Sequence, residues 1–281
     1  MRDFWRRFRR NKGAVVGLVI LLLVVLLAAT APWLYPGSPW DMAGAPFSPP
    51  GEMGMLLGTD SLGRDVAAGI AHGARISLLV GAVSTAAGLL VGVTLGAVAG
   101  YLGGIADDAV MRFTEFFQTI PSFVLAVVLV AIFRPSLGSI VFSIAIVSWP
   151  PVARVVRAEF LSLRAREFVQ AAEVLGRSRT AIIFREILPN ALSPIIVLAS
   201  LMVASAILLE SALSFLGLGD PNRISWGFMI GAGRSVIRMA WWMSVFPGLA
   251  IFLTVLALNL VGEGLNDWLN PRLSRKRGVA A

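Results

Sequence analysis

Apolar residues in this chain fall in long blocks, without the alternation of a half-buried strand or the 3.6-residue stripe of a surface helix. Six uncharged blocks stand out: Gly13–Ala31, Ile76–Ala106, Phe116–Phe133, Pro135–Ala153, Ile187–Leu209 and Met239–Gly262. A helix needs about 20 mostly apolar residues to cross about 30 Å of hydrocarbon. Each block meets or approaches that length, so the pattern predicts an all-α protein with six transmembrane helices. Only Arg134, beside Pro135, separates the third and fourth blocks, which predicts a tight hairpin between two spans. Prolines inside the blocks (Pro121, Pro150, Pro151, Pro189, Pro194, Pro247) are compatible with spans, because neighbouring helices can satisfy the freed carbonyls.

Composition agrees with this pattern. Of 281 residues, 57% are hydrophobic and 14% charged, against about 25% charged in an average soluble domain. The net charge of +8 is explained by retention of Lys and Arg on the cytoplasmic side of a membrane, without invoking nucleic acid. With the N-terminus inside, the inner segments hold 18 of the 24 basic residues and the outer segments hold 6. That bias predicts both termini in the cytoplasm. Residues 1–31 also carry marks of a signal peptide, a basic start and Ala29-Thr30-Ala31, but the apolar run is long for one. There is no cysteine and one histidine, His72, so neither a thiolate metal site nor a histidine cluster is possible.

Three stretches do not read as plain spans. The outer segment 32–75 is rich in proline and ends in Gly58-Thr59-Asp60-Ser61-Leu62-Gly63-Arg64-Asp65, where Thr59 or Asp60 is expected to cap a short helix. The second block carries Gly88, Gly92, Gly96 and Gly100, four apart, which predicts one face for close helix packing, with a pore lining as the alternative. The segment Arg154–Glu186 carries eleven charges in 33 residues yet is rich in helix formers. It predicts a short helix with Phe168, Ala171, Ala172 and Leu175 on one face and a stop at Gly176. A second helix follows, starting at Ser178 or Thr180 and running through Pro189. Glu210 and Glu263, at the ends of predicted spans, point to polar packing or a pathway.

The stretch from Glu167 to Gly176, continuing to Leu188-Pro189-Asn190, resembles the "EAA" loop of permease subunits in ABC importers. Ala171, Ala172, Gly176, Leu188 and Pro189 match in register. Gln170 replaces the pattern's Glu, and Glu186 stands where Ile is usual. Two further stretches, Leu57–Asp65 with Gly73–Leu78, and Leu213-Ser214-Phe215-Leu216-Gly217-Leu218-Gly219, resemble the dipeptide/oligopeptide/nickel branch. The basic start and the Asn270-Pro271 ending are similar to its C-type permease.

This resemblance implies a type I importer fold and three regions. Residues 1–75 hold the first span and the outer loop, 76–271 the core permease with its EAA loop at about 154–189, and 272–281 a basic tail. It implies half of a heterodimeric pore for dipeptides or oligopeptides in the inner (cytoplasmic) membrane, with nickel or another solute as the alternative cargo. The implied partners are a homologous permease, two cytoplasmic ATPases that bind ATP and Mg, a periplasmic solute-binding protein and membrane lipid. Arg164, Arg166, Glu167, Phe168, Gln170, Ala171, Ala172, Leu175 and Gly176 are implied to engage an ATPase. For Asp60, Arg64, Asp65 and His72 the sequence leaves two readings, an ordered elbow at the membrane surface or contact with the binding protein or cargo. Asp220, Arg223 and Arg234 are expected to face the binding protein or cargo. No Gly-x-x-x-x-Gly-Lys-Ser/Thr loop occurs, and the lysines, Lys12 and Lys276, lie at the two ends. The chain is therefore expected to be no ATPase, to bind no cofactor or metal of its own, and to carry no enzyme's constellation. A secondary transporter would instead show paired buried charges or an inverted repeat, and neither is evident.

Overall fold

The computed structural model describes residues 11–52 and 54–269. The basic residues before Asn11, the Asn270-Pro271 ending and the tail from 272 lie outside the described residues. Helix α1 (Lys12–Leu34) is followed by an irregular loop and the long α2 (Val66–Leu102). Next come α3 (Gly104–Thr119), α4 (Ser122–Phe133), α5 (Leu137–Arg164) and the short α6 (Glu167–Val174). Helix α7 (Arg179–Leu218), α8 (Trp226–Gly233) and α9 (Trp242–Leu269) complete the bundle.

Five of these, α1, α2, α5, α7 and α9, are long and apolar enough to cross a membrane. The third expected span differs from the sequence reading. Block Phe116–Phe133 is not one helix: α3 and α4 meet at a bend of 83°. Pro121 causes the break, because its ring pushes the preceding residue out of the helical region. Ile120 accordingly sits at φ −89°, ψ 125°. Counted together as one broken span, the bent pair brings the number to six. The second helix also begins ten residues before the predicted Ile76. Its N-cap is Asp65, whose side chain accepts from the Ala67 N–H, so Thr59 and Asp60 lie in the loop before it.

The α2–α5 seam is built on the glycine stripe. A Cβ on Gly88 would lie 2.5 Å from Ser148 Oγ, and one on Gly92 2.5 Å from Val152 Cβ. On Gly96 it would lie 2.5 Å from Ala153 O, and on Gly100 2.6 Å from Phe160 Cβ. Numbers rise together on both sides, so α2 and α5 run parallel with their backbones in contact. Such approach is possible only where Cβ is missing. Helix α1 lies antiparallel to α9, with Gly17 against Ala257 and Leu260 and the Asn11 amide donating to Asp267. The start of α1, the end of α9 and α6 therefore share one end of the bundle.

At that end α3 is tied to α5 by the Asp107–Arg157 ion pair, while Phe113 stacks on Trp149. At the opposite end α8 is wedged between α2, α7 and α9. Buried Trp226 donates its indole N–H to Ile70 O and its backbone N–H to Ser77 Oγ. Glu210, fully buried, accepts from Ser214 Oγ at 2.7 Å and Ser225 Oγ at 2.6 Å. Ser225 is also the N-cap of α8. Glu210 therefore works as a packing anchor, one of the two readings the sequence left open.

Candidate functional site

Helix α6 is eight residues long and caps the bundle end where α5 stops. Glu167 in its first turn suits the positive end of the helix dipole. Val169 and Ala172, three apart, point into the bundle and pack with Val156, Phe160, Ile182, Ile187 and Ala191. The other face is apolar but uncovered. Phe168 is 41% exposed, Val174 88% and Leu175 80%, with Ala171 and Gln170 beside them. The sequence reading placed Ala172 on that outer face, and the structure corrects this. At 6% exposed, Ala172 belongs to the seat that holds the helix down, and Val174 takes its place in the ridge.

Gly176 ends the helix at φ +74°, the left-handed conformation that glycine adopts without strain. The turn closes with Arg177 N–H donating to Ala172 O, a Schellman arrangement. Ser178 then caps α7, accepting from the Ala181 N–H. The first turns of α7, Ile182–Ile187, are π-helical, with Leu188 N–H donating to Ile183 O. Glu186 in this turn pairs with Arg177. Phe184, 65% exposed, is a second uncovered aromatic, at the start of α7. The sequence reading missed it because the π turn breaks the 3.6-residue period on which faces are read. Arg164, Arg166 and Glu167 are all exposed, and Arg164 also lies over the Tyr101 ring, 5.7 Å from its centroid.

The residues assigned to the opposite end divide differently. Asp60 accepts from the Leu62 and Arg64 N–H groups and pairs with the Arg64 guanidinium. Arg64 also lies over Trp40, and Asp65 caps α2. Asp220 accepts from the Leu137 and Asn222 N–H groups. Arg234 donates to Phe215 O and stacks on that ring. These five hold the loop and helix ends in place, and Arg234, like Arg223, is exposed. Among the described residues there is no group of three potential metal ligands.

The described residues form an all-helical bundle with membrane-length helices and a short, outward-facing helix at one end. Residues 92–275 match the family model described as "Binding-protein-dependent transport system inner membrane component". Residues 1–50 match "N-terminal TM domain of oligopeptide transport permease C". The chain is 44% identical over 282 residues to the dipeptide transport system permease protein DppC of Escherichia coli K12, covering 98% of this chain and 94% of that one. It is 42% identical over 280 residues to the di/tripeptide permease DppC of Pseudomonas aeruginosa, covering 97% and 92%. The oligopeptide permease OppC of Haemophilus influenzae is 39% identical over 276 residues, covering 96% and 88%. An inward-facing structure of the MetNI methionine ABC transporter shares the fold, with TM-score 0.60 at 18% identity, covering 72% of this chain and 96% of that one. The chain belongs to the family of binding-protein-dependent transport system inner membrane components.

Proposed function

We propose that this chain is the permease subunit of an ATP-driven importer and forms half of a two-permease pore for dipeptides or oligopeptides. The observation that carries the reading is the uncovered ridge of Phe168, Ala171, Val174 and Leu175 on α6. Four neighbouring apolar side chains held out on a short rigid helix mark a docking surface. Its occupant is a cytoplasmic ATPase, one of two, which binds the ATP and Mg. Hydrolysis there moves α6, and α6 moves the spans. Peptide cargo rests on the relatives named for di-, tri- and oligopeptides. The nickel alternative is not favoured by them.

The α6 end lies in the cytoplasm, in keeping with the basic bias of the inner segments. Asn11 and Asp267 then lie on the cytoplasmic side, and α8 with the loop before α2 on the periplasmic side. A solute-binding protein docks there, with exposed Arg223 as the residue placed to meet it. A homologous second permease completes the pore.

The test is reconstitution of the chain with its partner permease, ATPases and binding protein in proteoliposomes. Leu175→Asp is expected to abolish ATP-driven dipeptide uptake while the chain still inserts. Normal uptake by that variant would overturn the docking role. Uptake of nickel, and of no peptide, by the wild-type complex would overturn the cargo.

A further inference from the structure

The turn between α6 and α7 is braced on two sides. On the inner side, Val169 and Ala172 of α6 pack with Ile182 and Ile187 of α7. On the outer side, Arg177 pairs with Glu186, nine residues on and across the turn. Their side chains are 47% and 25% exposed. Both ends of this pair are held. The Arg177 N–H is fixed to Ala172 O, and Glu186 O accepts from the Asn190 side chain at 2.6 Å. Glu186 also lies in the π-helical stretch, which sets its direction relative to Arg177. It is the position where the chain departs from the EAA pattern by placing a charge.

We infer that Arg177 and Glu186 form a clamp that fixes the angle between α6 and α7. A displacement of the docked helix then passes into the α7 span and is not absorbed in the turn 175–178. Both are positioning residues, since they act through the apolar ridge and the span. The inference rests on the coupling role proposed for α6. A half-exposed ion pair adds little to overall stability. Its loss therefore loosens the joint without unfolding the bundle, and the quantity to read is peptide taken up per ATP hydrolysed.

In proteoliposomes holding the full importer, Glu186→Gln and Arg177→Gln are each expected to lower that ratio up to about fivefold, the factor that about 1 kcal/mol represents. The charge-swapped double variant, Arg177→Glu with Glu186→Arg, is expected to recover at least half of the wild-type ratio. Added salt is expected to lower the wild-type ratio towards the single variants and to leave theirs unchanged, because screening removes only what the pair supplies. A wild-type ratio in either single variant overturns the clamp, and so does a swapped variant as poor as the singles. If the wild-type complex shows no ATP-driven uptake at all, the coupling role of α6 falls, and the clamp with it.

Discussion

Nothing lies within 4 Å of where a Cβ on Gly176 would stand, yet the residue sits at φ +74°. Its requirement is conformational, not steric. A side chain with a Cβ pays about 1–2 kcal/mol in the left-handed region, and Asn tolerates it better than most. Uptake in the reconstituted importer is therefore expected to fall in the order Asn, Ala, Val at this position, with Val the worst. Equal losses for Asn and Val would point to crowding instead. Glu210 makes a different demand. Replacing it with Leu leaves the Ser214 and Ser225 hydroxyls buried without their acceptor, at about 1–3 kcal/mol for each unsatisfied group. Glu210→Leu is expected to lower the melting temperature of the purified chain in detergent more than Glu210→Gln does. A larger drop for Gln would show that the anchor is not held by these hydrogen bonds.

Helix α2 meets α5 along one narrow stripe, and the stripe allows an internal control. Gly96→Leu drives a side chain into Ala153 O, where overpacking costs about 1–3 kcal/mol. Nothing lies within 4 Å of a Cβ on Gly138 in α5. Thermal unfolding in detergent is expected to shift down for Gly96→Leu and hardly at all for Gly138→Leu. The spacing of four between glycines already marked this face in the sequence, because 3.6 residues per turn keeps such positions nearly aligned. It did not say which helix would fill the face. That depended on α5 lying parallel to α2, a contact about 60 residues away in the chain. The α3–α4 bend shows the opposite failure. Block Phe116–Phe133 looked continuous because hydropathy ignores φ, and the proline inside it decided the geometry.

The bundle as a whole has two unlike ends. One carries α6 and the ridge, and the other carries α8 and the packed loop before α2. The sequence has no cysteine, so single cysteines can report each end. In right-side-out spheroplasts, a membrane-impermeant maleimide is expected to label Arg223→Cys, and to label Arg177→Cys only after the membrane is broken. The reverse pattern would invert the orientation. The apolar blocks, the charge bias, the EAA resemblance and the stop at Gly176 were all readable from the chain, because they depend on local composition and on backbone conformations tied to single residues. The tertiary structure alone decided which apolar residues of α6 face inward. Val169 and Ala172 are no more apolar than Phe168 and Leu175, and only the positions of Phe160, Ile182 and Ile187 make one pair a seat and the other a ridge. It also decided what each charge does. For Asp60 and Asp65 it selected the ordered elbow over contact with a partner, and it tied down Asp220, through backbone N–H groups at helix ends and turns.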